Sequence, residues 1–101
     1  MFYGVLLGLA EIEKPPSLAQ RGGVWFQVGD QELHVGVTSD FVPAAKAHPA
    51  FRVDSQKELD RLATRLEAHG FSPTRPHPDE IPGKLRLHVD DPWGNRLEFV
   101  A

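Results

Sequence analysis

At 101 residues, with 41% hydrophobic and 25% charged residues, the chain has the size and composition of one compact soluble domain, which excludes fibrous and disordered classes. Eleven Lys and Arg against 14 Asp and Glu leave a net charge of -3, and like charges do not cluster, so no nucleic-acid partner is expected. Zero cysteines exclude a disulfide framework, a zinc ribbon and a thiol nucleophile, and make the cytoplasm the expected compartment.

The apolar stretch from Phe2 to Ala10 is far shorter than the roughly 20 residues that span a bilayer. It lacks the basic n-region of a signal peptide, and Glu11 and Glu13 follow it directly, so neither a membrane partner nor export is expected. Met1 to Leu9 reads as the last turns of a helix. Extended runs follow at about Ala10 to Lys14, Val24 to Val28 and Glu32 to Val37. Gly29-Asp30 is a two-residue hairpin loop with glycine first, which sets Val28 opposite Gln31, Trp25 opposite His34 and Gln27 opposite Glu32. Val24, Phe26, Val28, Leu33, Val35 and Val37 then share the apolar face.

A strand is predicted over His48 to Val53, with Pro49, Phe51 and Val53 apolar and His48, Ala50 and Arg52 on the polar side. Ser55 and Glu58 form a capping-box pair, Leu59, Leu62 and Leu66 recur at helical spacing, and Gly70 ends that helix. Phe71 to Arg75 is a further candidate strand, confined to an edge by Pro73, Pro76 and Pro78. The last two strands, Lys84 to Val89 and Arg96 to Val100, are joined by the turn Asp91-Pro92-Trp93-Gly94-Asn95. A five-residue loop there sets His88 opposite Glu98 and keeps Leu87, Val89, Leu97 and Phe99 together on the other side. The predicted class is α+β with a mostly antiparallel sheet.

The two halves form an approximate repeat. Residues 48–101 run strand, helix and three strands, whereas residues 1–47 supply three strands after a helical stub, with the first strand and most of a helix missing. The expectation is that the chain starts late or that a second copy completes it, making a homodimer. In this register the polar face carries Trp25, Gln27, Glu32, His34, His48, Arg52, Arg86, His88, Arg96 and Glu98. A single strand histidine is most simply a solvated surface group. Two histidines and a carboxylate from three strands, flanked by arginines, instead fit a site for Fe, Mn, Ni, Co or Zn that leaves coordination positions open for substrate.

Phe2-Tyr3 with Leu7-Gly8-Leu9, Arg21-Gly22-Gly23 with Trp25-Phe26, Glu32-Leu33-His34, Lys46-Ala47-His48-Pro49, and above all Asp91-Pro92-Trp93-Gly94-Asn95 with Leu97-Glu98-Phe99 resemble the glyoxalase, bleomycin-resistance and extradiol-dioxygenase superfamily, the vicinal oxygen chelate fold. The resemblance implies paired βαβββ modules whose sheet curls around a cavity, the first module incomplete at the N-terminus. It also implies metal ligands on the first and last strands of each module: His34, His48 and Glu98, with no counterpart here for the fourth. The implied enzyme chelates a small oxygen-rich substrate by lyase, isomerase or dioxygenase chemistry, with Glu98 doubling as catalytic base. Trp25, Arg52, Arg86 and His88 are the expected substrate-binding residues, suited to a small polar or anionic molecule. The competing expectation is a metal-free protein that sequesters its ligand, as bleomycin-resistance proteins do.

Overall fold

A computed structural model describes all residues 1–101, which divide into two compact units, Met1–Val42 and Pro43–Ala101. The first unit opens with a single wide turn at Phe2–Leu6, held by hydrogen bonds from Leu6 N–H to the Met1 carbonyl and from Leu7 N–H to the Phe2 carbonyl. It is one π-type turn in place of the α-helical stub predicted over Met1 to Leu9, since five residues cannot propagate a helix beyond its nucleus. Phe2, Tyr3 and Leu6 are buried, and the Tyr3 ring lies 5.9 Å from that of Phe26, the buried residue of the neighbouring hairpin.

Strands β1 (Ala10–Ile12), β2 (Val24–Val28) and β3 (Gln31–Val35) form an antiparallel sheet in the order β1-β2-β3. The pairs Trp25 with His34, Gln27 with Glu32 and Val28 with Gln31 are those set by the Gly29-Asp30 loop. Gly29 has φ +61° and no non-glycine residue has positive φ, so the positive dihedral falls on the first loop residue, as glycine there permits. β3 ends at Val35, short of the predicted Val37, which is 71% exposed and leaves the apolar face. Gly23, at φ +82°, admits no side chain, because a Cβ there would sit 2.2 Å from the Val35 carbonyl oxygen.

The second unit holds β4 (Ala50–Arg52), α1 (Gln56–Ala68), β5 (Arg86–Asp90) and β6 (Arg96–Val100), with sheet order β4-β6-β5. Ser55 caps α1 by accepting from the Glu58 N–H at 3.2 Å, and Gly70 turns the chain away at φ +87°. Leu59, Leu62, Ala63 and Leu66 pack the helix over Leu87, Val89, Leu97 and Phe99, the core of this unit. β4 is shorter than the predicted His48 to Val53 because Pro49 has no N–H to donate. Pairing nevertheless continues beyond it, with the Pro49 carbonyl accepting from Glu98 N–H and Val53 N–H donating to the Val100 carbonyl. The candidate strand at Phe71 to Arg75 reduces to one bridging residue, Thr74, which exchanges two 2.8 Å backbone bonds with His88, as the flanking prolines dictate.

The predicted five-residue loop is present, with Asp90 paired to Arg96. Asp91 is buried and fastens that loop by accepting from Trp93 N–H, Asn95 N–H and the Asn95 side-chain amide, each at 2.9 Å. The continuous polar face expected from the sequence is therefore divided between two three-stranded sheets, one per unit. The backbone order is α+β: a turn and three strands, then strand, helix, a bridging residue and two strands.

Candidate metal centre

In the second unit, β6 lies between β4 and β5, so one face of the sheet collects side chains from three neighbouring segments. Glu98 is opposite His88 across the β5–β6 ladder and is aligned with Ala50 of β4. His48 precedes β4 and approaches from the other side. The result is a cluster of His48, His88 and Glu98 in which one ligand atom from each lies within 4.8 Å of the others. His88 Nε2 is 2.6 Å and His48 Nε2 3.3 Å from the same Glu98 oxygen, Oε1, and the two imidazole rings meet edge to face at 5.5 Å.

Glu98 is also gripped by Arg86, which donates from Nη2 to Oε1 at 3.0 Å and from Nε to Oε2 at 3.3 Å. The outer face of the guanidinium donates from Nη1 to Glu80 at 3.0 Å. The Glu98 side chain is only 9% accessible, and burial alone would raise its pKa. The Arg86 hydrogen bonds outweigh that cost, helped by His88 and His48, and lower the carboxyl to about 2. Arg86 in turn is raised above its ordinary value, chiefly by its bonds to Glu98.

The donor set fits a divalent cation on its own chemistry. His48 Nδ1 lies 2.7 Å from the Lys46 carbonyl oxygen, which can only accept, so Nδ1 donates there and Nε2 is the nitrogen turned toward the site. Nε2 faces an oxygen of the ionised Glu98 carboxylate at 3.3 Å. A cation between them, whether proton or metal, resolves the confrontation, and a backbone carbonyl on the far nitrogen is the usual orienting contact of a metal-binding histidine. Bonds of about 2.0–2.2 Å to one metal place donors roughly 3–4 Å apart, close to the spacing already present.

Of the other site residues expected from the sequence, Arg86 and His88 both contact Glu98 in this cluster. His34 belongs to the first unit, where Nε2 lies 2.9 Å from Glu32 and the ring stacks on Trp25 at 3.5 Å and 2°. Arg52 is exposed on β4, and Arg96 is exposed opposite Asp90. His88, expected to bind substrate, stands among the candidate ligands, and Arg86, expected in the same role, holds the Glu98 carboxylate. The opposition of His88 to Glu98 was readable from the loop length. Two contributors escaped the sequence reading: Glu80, in irregular chain without periodicity, and the Lys46 carbonyl, a backbone group.

A carboxylate held between two imidazoles on a small βα-type sheet defines a protein with a candidate cation-binding centre inside one module. Residues 1–99 match the sequence model of the Glyoxalase/Bleomycin resistance protein/Dioxygenase superfamily, and the chain belongs to that superfamily. Among solved structures, it is similar to a Bacillus anthracis protein assigned to the glyoxalase family, at 43% identity over 98% of this chain and 77% of that one, with a TM-score of 0.87. It is also similar to an integron cassette protein from the mobile metagenome of the Halifax Harbour sewage outfall (25% identity, 99% and 83% covered, TM-score 0.79). A third similar structure is the lactoylglutathione lyase of Agrobacterium tumefaciens (26% identity, 98% and 79% covered, TM-score 0.71). No curated protein sequence matches the chain significantly.

Proposed function

We propose that the chain is a metal-dependent enzyme acting on a small, oxygen-rich, anionic substrate. The observation that carries this reading is the convergence of His48 and His88 Nε2 on one oxygen of a Glu98 carboxylate that stays ionised at neutral pH. Two imidazoles and a carboxylate suit Fe, Mn, Ni, Co or Zn and leave coordination positions for substrate. The cation, when bound, supplies Lewis acidity to two chelated substrate oxygens and stabilises the charge that develops on them.

The chain's own residues do the rest. The Lys46 carbonyl keeps the His48 ring turned toward the site, and Glu98 serves as ligand and, when released, as proton acceptor. Arg52 and Arg86 attract the substrate's negative charge. The similarity to a lactoylglutathione lyase favours lyase-type chemistry over ring cleavage. A cytoplasmic homodimer is the working form in this reading.

One observation favours the second reading, a metal-free protein that sequesters its ligand: Arg86 already neutralises Glu98 with two hydrogen bonds. Calorimetric titration of the chelator-stripped protein with Co²⁺ and Zn²⁺ decides between them. Binding at one ion per chain, lost in Glu98→Gln, supports the enzyme; absence of binding, with anionic ligands still captured, supports the sequestering protein.

A further inference from the structure

A cation-binding carboxylate gains nothing from a permanently charged guanidinium on the same oxygen, yet Arg86 Nη2 lies 3.0 Å from Glu98 Oε1, the atom on which both imidazoles converge. Arg86 is no casual surface charge. Its side chain is 14% accessible, it lies on the same face of β5 as His88, and it is fixed at its outer end by Glu80. A carboxylate oxygen has lone pairs for a limited number of partners, and a guanidinium cannot shed its charge to make way for another cation.

We propose that Arg86 is a built-in competitor of the metal: it occupies the Glu98 oxygen that a divalent cation needs, and its pairing with Glu80 sets how tightly it competes. This rests on the metal-binding reading above and deepens it. With no cation bound, Arg86 compensates the buried carboxylate and keeps the site folded and charge-balanced. On cation uptake the Nη2–H bond to Oε1 must be given up. The guanidinium retains Glu80 as a partner, and Nη2 becomes a free donor that can meet an anionic substrate. Affinity for the metal is thus the difference between two cations on one carboxylate. Glu80 tips that difference toward the metal by drawing charge and hydrogen bonds away from Glu98.

Replacing Arg86 and replacing its partner Glu80 give opposite signatures, which a merely structural role would not. Co²⁺ affinity is measured by calorimetry and by the cobalt absorption band at pH 8, above the ordinary histidine range, in wild type, Arg86→Met, Arg86→Lys, Glu80→Gln and Glu98→Gln. Arg86→Met removes a like charge beside the incoming cation and should bind Co²⁺ about tenfold more tightly, while Glu80→Gln leaves Arg86 wholly to Glu98 and should bind about threefold more weakly. Arg86→Lys keeps the charge without the two-pronged grip and should fall between wild type and Arg86→Met. It carries the test with Glu80→Gln should Arg86→Met fail to fold by circular dichroism. Unchanged or weaker Co²⁺ binding in Arg86→Met or Arg86→Lys, or a Glu80→Gln effect of the same sign as theirs, overturns the competition. Co²⁺ binding that survives Glu98→Gln, or its absence from every chain, overturns the metal reading as well, so the two failures are distinguishable.

Discussion

Replacing Glu98 by Gln in the metal-free chain should remove a defined, pH-dependent share of its stability. The Glu98 carboxyl is lowered from 4.5 to about 2 in the folded chain, mainly by Arg86, a difference of about 2.5. At about 1.36 kcal/mol per pH unit this corresponds to roughly 3 kcal/mol, and solvent screening at the open side of the site reduces it to about 1–2 kcal/mol. Because the folded pKa is depressed, the unfolded chain takes up the proton first. The contribution is therefore complete above the unfolded value of about 4.5 and is lost as pH falls toward about 2. The amide introduced by Glu98→Gln binds no proton, so the stability gap between wild type and variant should close across that window. Urea unfolding with a chelator present, at several values between pH 7 and pH 3, reads the gap directly, provided the denaturant slopes of the two chains agree. A gap that stays constant from pH 7 to pH 3, or a variant more stable than wild type at pH 7, refutes the assignment of Glu98 as a carboxylate stabilised by Arg86.

Three further outcomes follow from particular contacts. Leu66 is 0% accessible under α1, so Leu66→Ala should cost about 2–5 kcal/mol by urea unfolding. Gly23→Ala drives a methyl group against the Val35 carbonyl at a positive φ, and it should destabilise the first unit by about 2 kcal/mol or more, read as early loss of β2–β3 amide protection in hydrogen exchange. His88→Ala should weaken Co²⁺ binding by at least about tenfold, read by the same calorimetric titration.

How much of this was legible in the sequence depends on what carried the information. Turn chemistry and side-chain parity carried a great deal. Gly29-Asp30 and the Asp91–Asn95 turn fixed both hairpin registers, and with them Trp25 beside His34 and His88 opposite Glu98. The helix was legible because a cap, a leucine period and a terminal glycine agreed. Strand ends were not, because they depend on single backbone donors. Pro49 shortened β4, Val37 left the sheet, and three prolines reduced a strand to Thr74 alone. Alternation says which face a residue takes, yet it does not say how many sheets share that face, and here there are two.

The site shows the same division between local and global information. Parity placed Arg86, His88 and Glu98 on one face, and that sufficed to name every side chain around the carboxylate except Glu80. It could not assign their roles, because a histidine opposite a glutamate is a substrate contact, a ligand or a simple salt-bridge partner according to what else reaches the same oxygen. Distances of 2.6, 3.0 and 3.3 Å to one atom, Glu98 Oε1, change the question from which residues are polar to which cation the carboxylate holds. With Arg86 in place the carboxylate is already compensated, so the two imidazoles are not needed to neutralise it. Their convergence on a filled oxygen, one of them with its far nitrogen tied to a backbone carbonyl, is the arrangement expected where a second cation displaces the first.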